Sequence, residues 1–368
     1  MPKFFLLLAL LTGCATSTSS LTRTPASATV QFVPGTGYAA AVTPFLESAT
    51  TSIDIAQFNF DSKSAFTKSL ADELIHIKQG FRNNPNFRIR VLLEAKLFGA
   101  DTKNPATVAY LQQNGIETHL VTGLVVAGKQ VGIEHGKIVV VDGHKILAGS
   151  TNWTDTSILR NNETNLIVDS PKFGATLGQY FDTLVQNSGV MHPSTTVDGN
   201  IQMYTDTAYF DSLIGFLKTA QSGDRLDCSM YLFNVNDKTD PNDRAGKIMS
   251  ALIAAKTRGT NVRVMMETAA GSFGAFIVQA NSLAAKQLLQ GGISQVYFDL
   301  PSKISHMKFC VLTHGNMRSV SMGSSNWNFL DLDENHQLNW QINNAGAVGD
   351  QLFSFFDNIV KTEGTLQK

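Results

Sequence analysis

Residues 133–153 read IEHGKIVVVDGHKILAGSTNW, and residues 304–327 read ISHMKFCVLTHGNMRSVSMGSSNW. With His135 laid on His306 the two share one order, the second with nine residues rather than six before its Gly-Ser: a His-x-Lys, an apolar strand, a polar turn, a second strand, then Gly-Ser-x-Asn-Trp. Working outward, the likeness continues on both sides. PFLESATTSIDIAQFNF (44–60) is matched by GFLKTAQSGDRLDCSMYLF (215–233), IRVLLEA from Ile89 by VRVMMETA from Val262, and LQQNGIETHLV from Leu111 by LLQGGISQVYF from Leu288. Order and spacing hold throughout, so the chain is an internal duplication.

Each half alternates short apolar strands, such as 89–93 and 262–266, with amphipathic helices. One helix carries Phe66, Leu70, Leu74 and Ile77 along a single face, and another covers 245–256. Strands interleaved with helices predict an α/β architecture, in which mixed, mostly parallel sheets are flanked by helices. Two related halves predict packing about a pseudo-twofold axis that brings equivalent residues into one cleft. The expected divisions are a first half over 30–190, a linker over 191–200 at a junction where Gly189, Pro193 and a Ser/Thr cluster break both periodicities, and a second half over 201–366.

Of the 368 residues, 43 % are apolar and 16 % charged, which suits a packed globule and excludes disorder. The net charge of -1 provides no overall field for nucleic acid, although a local basic cleft is compatible with it. Residues 1–13, with Lys3 and a short apolar run, form an expected signal peptide ending in Leu-Thr-Gly-Cys. That tetrapeptide resembles a bacterial lipobox and implies lipidation of Cys14. Residues 14–29 then serve as a flexible tether, and the protein sits in the cell envelope, on the outer membrane facing the periplasm. Cys228 and Cys310 lie in apolar strand-like runs, which admits either a disulfide or two buried thiols.

In the first motif His135, Lys137, Asp142, Gly149, Ser150 and Asn152 fill every specified place of H-x-K-x4-D-x6-G-S-x-N. The second repeats it through His306, Lys308, Gly323, Ser324 and Asn326, with Thr313 where Asp is expected. This pattern resembles the phospholipase D superfamily over nearly everything after the tether. The resemblance implies a duplicated phospholipase D-like fold and a phosphodiesterase acting through a phosphohistidine, without metal or other cofactor.

The residue types suit that chemistry. Alternation along a strand sends His and Lys of one motif the same way. Two lysines and two asparagines, Lys137, Lys308, Asn152 and Asn326, can surround a phosphate as charge develops, with Ser150 and Ser324 as further hydroxyl donors. Paired imidazoles allow attack by one and protonation of the leaving oxygen by the other. Family members imply His135 as nucleophile and His306 as acid and base. They also imply an acidic orienting residue beyond the G-S-x-N segment. Glu163 stands there in the first half; the second half has Gln337 at the aligned position and Glu334 three residues earlier.

Apolar stretches at 123–132 and 269–280 suit acyl chains equally well as they suit core packing. The expected substrate is therefore a membrane phospholipid, cleaved by water or transferred to an alcohol, on a monomer needing no obligate protein partner. The alternatives are an exported nuclease with the same site and a catalytically silent, membrane-anchored binding protein.

Overall fold

Period-two apolar patterning becomes two sheets in the computed structural model, which describes residues 28–81, 83–95, 103–235, 242–268, 274–300 and 303–368. The expectations for residues 1–13, for Cys14 and for most of the tether lie outside the described residues. The first half holds β1 (Thr29–Pro34), β2 (Ser52–Gln57), β3 (Arg88–Glu94), β4 (Glu117–Val121), the small hairpin β5 (Val125–Val126) and β6 (Lys129–Gln130), β7 (Lys137–Val141), β8 (Lys145–Gly149) and β9 (Thr164–Asp169). The second holds β10 (Ser194–Asp198), β11 (Ile201–Thr205), β12 (Arg225–Met230), β13 (Asn261–Met266), β14 (Gln295–Phe298), β15 (Lys308–His314), β16 (Met317–Gly323), β17 (Leu338–Ile342) and β18 (Thr365–Leu366).

Among the described residues the first sheet runs β1-β9-β8-β7-β2-β3-β4 and the second β10-β11-β17-β16-β15-β12-β13-β14-β18. The sheets are mixed, flanked by helices and built on the same plan. Parallel pairing is confined to β2-β3-β4 and β12-β13-β14, a smaller share than a mostly parallel sheet requires. The reason lies in the motif itself. A tight turn at Asp142 and Gly143, both at positive φ (54° and 66°), folds β8 back on β7, and a hairpin can pair strands only antiparallel.

Residues 191–200 do connect the halves, but they are not merely a linker. Residues 194–198 form β10, which pairs antiparallel with β11 as an edge of the second sheet. Asn200 and Gly199 form the turn of that hairpin, and the Ser/Thr cluster lies within β10 itself.

Alternation within β7 and β15 sorts their side chains into different cores. Ile138 and Val140, with Phe309 and Val311, enter a shared core between the sheets, together with Leu166, Met322, Trp340 and the helices Pro171–Asn187 and Gly346–Thr362. Val139 and Val141 instead pack under the first half's own helices, and Cys310 and Leu312 under the second half's. The equivalent strands β8 and β16 meet directly, as a pseudo-twofold axis between them demands. Burial of each large side chain in that shared core contributes about 1.5–3 kcal/mol, so the halves are held by the same force that folds each one. Cys228 and Cys310 are direct partners in the β12–β15 register, with Cα atoms 4.1 Å apart, and form a disulfide. No helix among the described residues is long and apolar enough to cross a membrane.

Candidate active site

The two His-x-Lys segments meet where the halves exchange backbone hydrogen bonds. The His135 amide donates to the His336 carbonyl (3.0 Å) and the His306 amide to the Asn162 carbonyl (2.9 Å); His336 and Asn162 donate back to Ile133 and Ile304. This fourfold exchange fixes both histidines against the opposite half. His135, His306 and Asn152 line one cavity of about 820 Å³. Lys137 and Lys308 lie directly behind, each donating its ammonium to the carbonyl of the histidine two residues earlier. Both histidines are 7 % exposed and both lysines 2 %, so four cationic or potentially cationic groups share a nearly dry floor.

Supporting contacts repeat across the axis. Phe58 sets its ring edge on His135 (5.0 Å between centroids) and Tyr231 does the same to His306 (4.6 Å), while the lysines lie over those rings. Glu94 accepts from the Glu134 amide (2.6 Å) and Glu267 from the Ser305 amide (2.5 Å), one residue before each histidine. Asn104 and Asn281 each hold three backbone groups next to the ring residues. Sequence reasoning passed over these pairs, yet the duplication signals Glu94 and Glu267 plainly, in LLEA and MMETA.

The carboxylates behind the histidines come from the opposite halves. His306 Nδ1 lies 3.0 and 3.1 Å from the two oxygens of Glu163. His135 Nδ1 lies 3.0 Å from Asp331 Oδ1 and 3.2 Å from Gln337 Oε1. Asp331, on the short helix Phe329–Asp333, is held by Asn328 and Asn326 and receives the Gln337 amide. Glu334 does not make this contact; its carbonyl instead accepts from Leu124 across the interface. The expected partner at 334 is therefore corrected to Asp331, whose first-half equivalent is Ser157, so no repeat signal marked it.

Two other expectations change. Asp142 lies at the far end of β7, where its carboxylate accepts from the amides of Thr50, Thr51 and Ser52 (2.7–3.1 Å). Burial opposes its ionisation, but these three amides outweigh it and lower the group to about 2. It clamps a turn and stands away from the cavity. In the second half Asp224 closes the corresponding turn on Gln221 and binds His314, which leaves Thr313 free of that task. Ser150 and Ser324 spend their hydroxyl protons on Glu163 and Gln337, so they position those side chains rather than donate into the cavity.

The electrostatics of the two histidines differ. Burial, then the adjacent lysine, lowers both imidazoles. Burial works against ionisation of Asp331, but His135 and the hydrogen bonds from Asn328 and Asn326 hold it well below the usual carboxylate range. Burial pushes Glu163 up to about 8 despite Lys308, Ser150 and Asn161. Burial also lowers Lys308 to about 7, and Lys137 falls with it through burial and the nearness of Lys308. At neutral pH an anion thus backs His135, whereas the Glu163–His306 pair retains a proton.

Residues 123–132 turn away from the cavity. Their hairpin docks on the second half through Leu124, while Val125 donates to the Gly189 carbonyl of its own half, and at Gly132 an added Cβ would lie 1.8 Å from the Glu334 carbonyl oxygen, a contact only glycine permits. Of the apolar stretch 269–280, Phe276 and Ile277 line the cavity; residues 269–273 lie outside the described residues. Trp153 and Trp327 are buried packing residues. His336 is a buried bridge to Asp206 (3.0 Å) and the Ser188 carbonyl (2.7 Å). Burial lowers it, but Asp206 prevails and raises it to about 9.

The family described as cardiolipin synthase, PLD-like domain, matches residues 42–185 and again 213–360. A mitochondrial cardiolipin hydrolase of Chlamydomonas reinhardtii is 27 % identical over 141 residues, 38 % of this chain. That match spans about half, 54 %, of the relative's own length. The fold is similar to that of a phosphatidylserine synthase of Haemophilus influenzae Rd KW20, with a TM-score of 0.69, 10 % identity and coverage of 92 % of this chain and 87 % of that one. A polyphosphate kinase of Porphyromonas gingivalis matches at TM-score 0.57 and 13 % identity, over 90 % of this chain and 50 % of the other.

Proposed function

The chain belongs to the phospholipase D superfamily, and from that premise we propose that it is a phospholipase D-type phosphodiesterase acting on membrane phospholipids. The observation that carries this is the cavity over the paired histidines. It is walled on one side by Leu232, Phe276, Ile277, Phe329 and Leu330, which offer apolar surface to acyl chains beside a cationic phosphate floor. A polynucleotide would instead set its phosphates against those apolar groups.

Lys137, Lys308 and Asn152 cradle the non-bridging oxygens while Asn326 holds Asp331, and the arriving anion favours the charged form of both lysines. His135, its Nδ1–H hydrogen-bonded to the Asp331 carboxylate, attacks phosphorus through Nε2. A phosphorus–nitrogen bond forms as the phosphorus–oxygen bond to the head group breaks, and the leaving oxygen takes a proton from His306, backed by Glu163. His306 then removes a proton from water or an alcohol. That oxygen attacks phosphorus, displaces His135 and yields phosphatidic acid or a new phosphodiester.

Both histidines come from one chain, so a monomer suffices. Export and lipidation at Cys14 complete the proposal, supported by the Cys228–Cys310 disulfide, which suits an oxidising compartment.

The test is to incubate the protein, without added metal, with bacterial phospholipids and short DNA and RNA strands, and to read all products by mass spectrometry. Phosphatidic acid or exchanged phosphatidyl products, absent with His135→Ala and with His306→Ala, are expected. Shortened oligonucleotides beside intact lipids would replace the lipid assignment with the nuclease one, and no product at all would leave a silent binding protein.

A further inference from the structure

The duplication supplies an internal comparison that the site's shared chemistry conceals. In each half the wall above the histidine is built the same way. Residues 58–61 pair with 152–154 through Trp153 N–H to the Asn59 carbonyl (2.9 Å), and residues 231–234 pair with 326–328 through Trp327 N–H to the Leu232 carbonyl (3.0 Å). The same backbone therefore presents side chains from equivalent positions, and these differ in kind. Asn59 faces the cavity where the second half has Leu232, and Thr156 where it has Leu330; Asp155 corresponds to Phe329 but turns away to cap the helix Ala65–Gly80. The helix Gly274–Gln290 extends the second wall with Phe276 and Ile277. At these positions the first wall offers amide and hydroxyl and the second hydrocarbon; Asn234, Asn328, Asp331 and Asn335 also line the second-half side.

Resting on the phospholipid reading above, we infer that the cleft is polarised by half: the second-half wall holds the diacylglycerol, and the first-half wall holds the head-group alcohol as it leaves or its replacement as it arrives. The chemistry of the first wall narrows that alcohol. Asn59, Asn152, Thr154, Thr156 and Asn161 are all uncharged. The buried amide oxygens of Asn59 and Asn152 have no protein partner among the described residues. A buried acceptor needs a donor. An uncharged, hydroxyl-bearing alcohol brings donors without a charge to neutralise, whereas a trimethylated ammonium brings none and a primary ammonium must desolvate its charge against neutral groups. Asn161, at the end of this wall, also donates to Glu163 (3.1 Å), the carboxylate behind His306.

The access route agrees. At the second-half rim Phe276 is 52 % exposed and Phe329 44 %, so hydrocarbon continues from the cavity to the surface on that side. In the first half the place of Phe329 is taken by Asp155, which caps a helix, and the exposed Thr156 stands beside it.

A reciprocal exchange tests this. One variant places first-half residues on the second wall, Leu232→Asn with Leu330→Thr; the other does the reverse, Asn59→Leu with Thr156→Leu. Each is assayed on dioleoyl and dihexanoyl phosphatidylglycerol, on the matching phosphatidylethanolamines, and on bis(4-nitrophenyl) phosphate as a measure of intact catalytic machinery. The second-wall variant should raise KM for the dioleoyl lipids about tenfold or more, the scale of lost apolar pocket contacts, while KM for dihexanoyl lipids moves less than twofold. The first-wall variant should keep the chain-length dependence and lose most of the preference for phosphatidylglycerol over phosphatidylethanolamine. If the two variants alter chain-length dependence equally, or in the opposite order, the polarised cleft is refuted. If the unaltered protein cleaves the nitrophenyl diester but none of the lipids, the phospholipid reading itself falls, which is a distinct result.

Discussion

Replacing Asp331 by Asn removes one negative charge behind His135 and leaves an amide oxygen able to accept the Nδ1 proton. The structure sets the scale. Asp331 Oδ1 lies 3.0 Å from Nδ1, and both residues are almost wholly buried, at 6 % and 7 % exposure, so solvent does not screen the pair. A charge-assisted hydrogen bond of this kind contributes about 1.5–3 kcal/mol. At about 1.4 kcal/mol per tenfold in rate, Asp331→Asn should lower kcat roughly 10- to 150-fold with KM little changed, because His135 orientation survives and only the stabilisation of its cationic adduct is lost. The first half keeps its carboxylate six residues later, at Glu163, and has Ser157 where the second has Asp331. The double variant Asp331→Ser/Gln337→Glu therefore transplants the working first-half arrangement and should recover activity to within a few-fold of the unaltered protein. Gln337→Glu alone should impair turnover, since it sets two carboxylates within hydrogen-bonding distance of each other. Steady-state kinetics on the lipid substrate, with Tm confirming folding, reads all three. Full activity in Asp331→Asn, or a folded but inactive double variant, would refute the relocated carboxylate.

Because Lys308 stands at about 7 and Glu163 at about 8 in the free protein, kcat/KM should fall on the alkaline side with an apparent pKa between about 7 and 8; Glu163→Gln should remove the upper part of that limb, and a flat profile to pH 9 would contradict it. Asp142→Asn should leave activity intact but cost about 1–2 kcal/mol of stability, after allowance for its partial exposure, measured by urea denaturation. Its folded pKa lies below the unfolded value, so this contribution is present above about pH 4 and disappears as pH falls through about 2; a difference from the unaltered protein that persists undiminished at pH 2 would argue against the clamp. Cys228→Ser/Cys310→Ser should lower stability by about 2–4 kcal/mol for a bridge closing a separation of 82 residues, and identical Tm values with and without reductant would exclude the bridge.

Much of this molecule was legible along the chain because it is carried by short-range pattern. The alternation of β7 and β15, the repeat of each strand and helix, and the His-x-Lys and Gly-Ser-x-Asn spacings all act within a few residues, and the duplication printed each of them twice. Halves, sheets and the His/Lys/Asn set follow from that. The hairpin at Asp142–Gly143 reverses the chain and makes the sheets more antiparallel than strand and helix alternation alone suggests. What the sequence by itself did not determine are the contacts made across the axis. Glu163 serves His306, and Asp331 serves His135, over separations of 143 and 196 positions, and no local periodicity encodes a partner so far away. Asp142 fits the motif by spacing, yet its strand carries it to the opposite end from the cavity. The convergence of Asn59 and Thr156 with Leu232 and Leu330 on one cavity is likewise a tertiary fact. Single substitutions at equivalent positions look like ordinary drift between repeats until packing about the pseudo-twofold axis sets them face to face over one phosphate floor.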